Sequence, residues 1–314
     1  MKLMVVINAY VTLQQSLGIK FVSTGRLLRQ FGRSMGDILI DEVCSKEVAI
    51  FLQGTGQLSA TWMLKYRVLS GLYRFAISRG YVNSSPLPTS RPKLPPPQSP
   101  YVYSTTELRQ LIEATSTLYV GHSRQQASTY RTLILVLYGS GMRISEALGL
   151  TLQDVDLVQR IITVRNTKFF KTRLVPIGPK LVQELASHTQ RRRQLPTPEG
   201  ENSALFTTRT GRAWPYQHVI TLFQHLRRAA GIDCPAGEPR PPRLHDLRHT
   251  AAAHRMLAWY RDGKDVQRLL PQLATYLGHA DIRSTQRYLL MTPELFHEAS
   301  KRFADYALQG GDHG

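Results

Sequence analysis

The chain has 314 residues, 42% of them apolar and 20% charged, a balance that suits globular domains with cores of their own and excludes a disordered or low-complexity protein. Its 40 basic residues against 22 acidic ones leave a net charge of +18, which points to a polyanionic partner, nucleic acid ahead of an anionic membrane face. Cys44 and Cys234 make neither a disulfide framework nor a zinc spacing, and no apolar run is long enough to span a bilayer.

The length predicts two domains. Residues 1–95 carry 12 basic and 4 acidic residues and the remainder 28 and 18, so both parts hold a positive surplus and both are expected to meet phosphate, as a clamp would. The opening Met1-Lys2-Leu3-Met4-Val5-Val6-Ile7 has some apolar character, but Asn8 interrupts it and no small-residue cleavage site follows, so export is not expected.

Residues 1–82 read as a helical domain. Leu27, Leu28 and Phe31 lie at helical spacing, and Ser45 is placed to cap a helix running through Ile50, Phe51 and Leu52. A longer helix is expected from about Ser59 to Ser78, with Trp62, Tyr66, Leu69, Tyr73 and Ile77 along its inner face. Lys65, Arg67 and Arg74 decorate its other sides as candidate DNA contacts; each singly is as well explained by a solvated cation. Between Asn83 and Pro100 stand seven prolines, which remove backbone donors and fix φ, so 83–103 is expected to be a linker. The second domain is expected to span 104–314. It opens on Ser104-Thr105-Thr106-Glu107, a capping box for a helix running towards Leu118.

A buried helix is expected over about 126–138, broken at Gly139-Ser140-Gly141. Arg143 and Glu146 follow three residues apart, either an inward arginine oriented by a carboxylate or a surface ion pair. From Asp154 the apolar period changes, and the β-branched or apolar run Leu157, Val158, Ile161, Ile162, Thr163 and Val164, with Leu174–Ile177 after a turn, predicts a β-hairpin with Lys168 and Lys171 near its tip and Arg173 beside it. Helices follow at about 179–193 and 215–230, the first closing on Arg191-Arg192-Arg193 as a favourable C-terminal charge. A breaker-rich loop then delivers Arg240 and Arg243. It leads into Leu244-His245-Asp246-Leu247-Arg248-His249-Thr250, then Leu277-Gly278-His279, then Tyr288. His245 and Arg248, three apart on a helix, can face one small anion. A guanidinium forks onto phosphate oxygens, a histidine moves a proton near neutral pH, and a tyrosine is an oxygen nucleophile. His249 reads as a local packing residue.

Arg143, Lys168, His245-x-x-Arg248, His279 and Tyr288, in this order and with this spacing, resemble the tyrosine recombinase (phage integrase) family. The resemblance is strong from about 104 to 290 and only one of type in the helical N-terminal domain. It implies a mainly α fold with a small β-sheet (α+β), a core-binding domain followed by a catalytic domain. It implies a site-specific integrase borne by a mobile element, cutting and rejoining DNA through a 3′-phosphotyrosyl bond on Tyr288. Arg143, Arg248 and His279 would neutralise the phosphate, His245 would accept the tyrosine proton, Lys168 would protonate the leaving oxygen, and Glu146 would orient Arg143. No cofactor, metal or ATP is implied. The partners are double-stranded DNA and three further copies in a homo-tetramer on paired sites, with a monomer free in the bacterial cytoplasm. Two departures stand out: a longer span before His279, around Trp259–Lys264, and Leu289-Leu290-Met291-Thr292 where the family often has a histidine. The tail from about 292 has Leu295, Phe296, Ala299, Phe303 and Ala307 at helical spacing and is expected to dock on a neighbouring subunit. A DNA-binding regulator without catalysis and a type IB topoisomerase-like nicking-closing enzyme stay open as alternatives.

Overall fold

The structure, a computed structural model, describes residues 1–95, 99–118, 124–165, 172–238, 240–279, 281–286, 288, 295 and 298. It divides into two compact units, Met1–Gln98 and Ser99–Gly314. Among the described residues no helix is long and apolar enough to cross a membrane.

The first unit is built from α1 (Leu3–Ser16), α2 (Val22–Met35), α3 (Ser45–Gln53) and α4 (Ala60–Ser78). The apolar start of the chain is core: Leu3, Val6, Ile7 and Val11 of α1 are buried with Leu28, Phe31, Val48, Leu52, Leu69 and Leu72. On α4 the buried stripe is Trp62, Leu69, Leu72, Tyr73 and Ala76, and Ile77, expected inside, is 42% exposed. Gly71 accounts for the rotation. A Cβ there would stand 2.6 Å from the Tyr10 hydroxyl, so α1 approaches α4 at the glycine and draws Leu72 and Ala76 inward. The first part of the proline-rich stretch packs on this unit. Val82, Leu87 and Leu94 lie against the core, and the Tyr66 hydroxyl donates to Pro88 O at 3.3 Å.

The second unit opens with Tyr101 and Tyr103 packed in its core, ahead of α5 (Thr105–Ala114). The capping box is present: Ser104 Oγ accepts from Glu107 N at 3.1 Å, and Glu107 Oε2 accepts from Ser104 N at 2.7 Å. α6 (Arg124–Ser140) is the central helix, packed against α8 (Pro179–Arg193) and α10 (Asp246–Arg261). After the short α7 (Ile144–Leu148) comes an antiparallel sheet ordered β1 (Val155–Asp156), β2 (Ile161–Val164), β3 (Arg173–Pro176). Its hairpin pairs Ile162 with Val175 and Val164 with Arg173; β1, two residues long, is an addition to the expected pair of strands. α9 (Tyr216–Ala229), α11 (Val266–Leu277) and the four-residue α12 (Arg283–Gln286) complete the unit. The long span before His279 is spent on α10, which runs to Arg261 before a short turn into α11.

Candidate active site

The site is assembled where α6, α10 and α11 end or begin. Asp246, 1% exposed, anchors the start of α10 by accepting from Arg243 N at 2.7 Å and from its guanidinium at 2.9 Å. Tyr103 ties this corner down, its hydroxyl donating to Arg243 O at 3.0 Å and its backbone N–H to Thr250 Oγ1 at 3.0 Å. His245 therefore sits just ahead of the first helical residue and Arg248 in the first turn. A helix N-terminus presents N–H groups and a partial positive charge, which favours an anion.

Three arginines converge on the C-terminus of α11. Arg173 Nε donates to Tyr276 O at 3.2 Å, Arg248 Nη2 to Leu277 O at 2.7 Å, and Arg143 Nη2 to Gly278 O at 3.3 Å. Carbonyls at a helix C-terminus are unsatisfied and partially negative, so this helix end holds the like charges of the three guanidinia together. Arg248 is buried, and its Nη1 donates to Gly141 O at 2.7 Å, beyond the end of α6. Burial and the nearby Arg143 draw its pKa down to about 10, still protonated at neutral pH. Glu146 lies between the other two guanidinia. Oε1 accepts from Arg143 Nη1 at 2.8 Å and Arg173 Nη1 at 3.1 Å; Oε2 accepts from Arg143 N at 2.9 Å and Arg173 Nη2 at 2.7 Å. Desolvation opposes its charge, but the bonds from Arg173 and Arg143 prevail and hold the carboxyl at about 2.

Gly278, in the left-handed region at φ +70°, ends α11 by a Schellman-type pair: Gly278 N to Thr275 O at 3.0 Å and His279 N to Ala274 O at 2.9 Å. That turn places His279, whose Nδ1 is 2.8 Å from Thr285 Oγ1. The Tyr288 ring, 2% exposed, stacks on His279 at 5.9 Å between centroids and meets His249 at 5.6 Å; His249 in turn packs edge-on to His245 at 4.9 Å. Burial and the surrounding arginines push His279 down to about 4 and lower His245. His249, pushed to about 4 mainly by burial, keeps a buried Nδ1 that has no hydrogen-bond partner among the described residues. Imidazoles kept neutral by burial and neighbouring cations can accept a proton beside an anion.

Arg143, Glu146, His245, Arg248, His279 and Tyr288 are thus brought together, while Lys168 and Lys171 lie outside the described residues. Tyr276 packs, with its hydroxyl within hydrogen-bond distance of Gly139 O at 3.3 Å and Pro176 O at 3.2 Å. Among the expected DNA contacts, Arg67, Arg74 and Arg240 are exposed. Arg243, though exposed, is paired with Asp246. Two require correction. Lys65 Nζ donates to Phe51 O at 2.6 Å and lies 4.8 Å over the Phe51 ring, so it fastens α4 to α3 instead of facing solvent. Arg173 is sealed inside against Glu146. Arg192, expected as a favourable charge at the helix end, is buried, donating to Ala204 O at 2.9 Å and Pro196 O at 3.0 Å.

Sequence reasoning missed Arg173 and Arg192 as interior groups although a signal for each exists. Arg173 is two residues before Val175 on a strand, hence on the same face as a core side chain. Arg192 continues the buried stripe Leu185, His188, Thr189 of α8. The contacts of Thr285 and His249 had no such signal. Among the described residues no group of three His, Cys, Asp or Glu is placed to hold a metal. A cavity of about 490 Å³ shares Gly141, Tyr276 and Leu277 with the cluster and includes Tyr138, His254 and Trp259, but none of the six positions above.

Comparison with known proteins follows the same span. The profile of the phage integrase family matches residues 102–294. The putative integrase/recombinase y4rB of Sinorhizobium fredii is 32% identical over 302 residues, covering 94% of this chain and 95% of that protein. The tyrosine recombinase XerD of Mycobacterium leprae is 28% identical over 310 residues, covering 92% of each. Among solved structures, the Tn1549 transposon integrase in complex with circular intermediate DNA superposes with a TM-score of 0.68 at 20% identity, covering 95% of this chain and 98% of that one. The lambda integrase tetramer bound to a Holliday junction gives 0.66 at 18% identity, covering 90% and 78%. At these identities the structural likeness speaks for the fold.

Proposed function

The chain belongs to the phage integrase family of tyrosine recombinases, and from that premise we propose that it is a site-specific DNA recombinase acting through a covalent phosphotyrosyl intermediate on Tyr288. The reaction begins with a phosphodiester held by Arg143, Arg248 and His279. Tyr288 Oη attacks phosphorus as the bond to the 5′ oxygen breaks. The phenol proton passes to His245, and Lys168 gives a proton to the departing 5′ oxygen. A 5′ hydroxyl from a second strand then attacks the 3′-phosphotyrosyl bond, the protons return, and a phosphodiester is re-formed with no net consumption of bond energy. For that reason the cycle is proposed to need neither ATP nor a metal. Fixed guanidinia take the role of neutralising charge on the non-bridging oxygens. Strand exchange between duplexes is proposed to occur in a tetramer on paired sites, on bacterial DNA.

The observation that carries this reading is the gathering of Arg143, Arg248 and His279 at one helix end with the Tyr288 ring stacked on His279. If Thr285 donates to Nδ1 of His279, the ring proton sits on Nε2, where it is a donor for a phosphate oxygen. The experiment is trapping on a library of nicked duplexes, where the short strand leaving after cleavage cannot return. Wild-type protein should give a denaturant-resistant adduct without Mg²⁺ or ATP, with the nucleotide mass on the peptide containing Tyr288. Tyr288→Phe should bind DNA and form none. An adduct on any other tyrosine overturns the assignment, and relaxation of supercoils without a preferred site would favour the topoisomerase-like alternative.

A further inference from the structure

We propose that Arg173 is a positioning residue for this reaction: by sharing the Glu146 carboxylate it lets Glu146 orient Arg143 without cancelling the charge that Arg143 offers to phosphate. The inference rests on the reading of Arg143 as a phosphate ligand.

Glu146 is a demanding partner. Its side chain is 8% exposed, and it accepts from both the backbone and the guanidinium of Arg143. Those bonds fix the rotamer of Arg143 at the start of α7, but a buried carboxylate paired with one guanidinium makes a nearly neutral unit. Such a unit is a poor anion receptor. Arg173 changes the balance by forking onto the same carboxylate, Nη1 to Oε1 at 3.1 Å and Nη2 to Oε2 at 2.7 Å. The three groups together carry one net positive charge. Their exposure says where it is usable: the Arg173 side chain is 11% exposed and that of Arg143 is 34%. Arg173 is the closed partner and Arg143 the open one.

Arg173 also braces the turn that carries His279. Its Nε donates to Tyr276 O at 3.2 Å, and a Cβ on Gly278 would stand 2.7 Å from its Nη1. One side chain on β3 therefore touches the supports of two phosphate-facing groups. Only a planar fork with a third donor can do all three things, so lysine is not equivalent here.

The test uses full-length protein and the nicked duplex recovered by trapping, with single-turnover cleavage measured at saturating DNA. Arg173→Gln should slow cleavage about 10- to 100-fold, the range usual for partners that orient a first-line ligand, with DNA affinity within about twofold and its salt dependence unchanged. Adding Glu146→Gln should make the double variant faster than Arg173→Gln alone, because the carboxylate that then cancels the charge of Arg143 is gone. Arg173→Lys keeps the charge and loses the fork. It should slow cleavage about tenfold, and it carries the test if the glutamine variant does not fold by thermal unfolding. A double variant slower than both singles would reduce Arg173 to a structural residue. A salt slope lowered by about one phosphate, with cleavage at saturation unchanged, would make it a DNA contact. Unaltered rates in both Arg173 variants would also overturn the proposal. Absence of an adduct with the wild-type protein is a different failure, that of the recombinase reading itself.

Discussion

A methyl group on Gly141 would lie 2.6 Å from Leu277 Cδ2, on a backbone at φ +61°, and the carbonyl of the same residue accepts from buried Arg248. Gly141→Ala should destabilise the second unit by about 2–4 kcal/mol, from left-handed strain and overpacking, read by urea unfolding, and should slow adduct formation with it. His188 gives a pH prediction. It is 2% exposed, donates Nε2–H to Leu205 O at 3.1 Å, and is pushed by burial from 6.5 to about 4. A histidine depressed in the fold contributes its full stability above the unfolded value of 6.5 and loses it as pH falls towards 4, because the unfolded chain binds the proton first. Taking the protein from pH 7 to pH 5 should therefore cost about 2 kcal/mol through this residue, and His188→Gln should show a flatter decline in urea titrations. For Lys168, alanine should slow cleavage far more on an ordinary phosphodiester than on one with sulfur in place of the bridging 5′ oxygen, since a thiolate leaves without a proton. Equal losses on both would make it a phosphate anchor. At this scale the sequence was legible where partners are close along the chain, as in Arg143 with Glu146. It was opaque where they are far apart, as in Arg173 with Glu146, 27 residues away.

Elements were read well where the apolar period is long and the caps are local. The Ser104 capping box, the α8 and α9 spans and the β2–β3 hairpin are where periodicity placed them. β1 escaped because two residues have no period. The inner face of α4 was misjudged because Gly71 and Tyr10, on different helices, decide its rotation. The tail invites a prediction at this scale. Leu295 is 1% exposed and packs in its own chain with Ala252, Met256, Leu273 and Tyr288; Phe296, Ala299, Phe303 and Ala307 lie outside the described residues. Cutting the chain after residue 298 keeps Leu295 and should leave adduct formation measurable, whereas cutting after 292 should lower the melting temperature as well. If the tail docks on a second subunit, the first truncation should abolish strand exchange between two duplexes; continued exchange would argue against docking.

For the whole molecule, two cores and a surplus of positive charge in each half make the division between Gln98 and Ser99 testable. Val82, Leu87 and Leu94 pack on the first unit and Tyr103 is buried in the second, so a broad-specificity protease should cut between residues 95 and 100. The 99–314 fragment contains all six candidate positions and should still form the Tyr288 adduct, with a shallower salt dependence of DNA binding and most of its site preference lost. A fragment as selective as the full chain would show that the first unit contributes nothing to choosing the site. Charge and the proline run announced a two-part DNA-binding protein from the sequence. How much of the linker each core claims was not legible, because Leu87 and Leu94 read as loop residues until their packing partners are known.

The end of α11 has a consequence for which changes in length the chain tolerates. Tyr276, Leu277 and Gly278 serve the three arginines with backbone carbonyls, so the helical phase of that last turn decides whether the contacts form. One residue added to the last turn would rotate those carbonyls by about 100° and advance them by about 1.5 Å, detaching Arg173, Arg248 and Arg143 in a single step. Insertions should accumulate instead before Val266, where the turn after Arg261 absorbs them without disturbing the phase downstream.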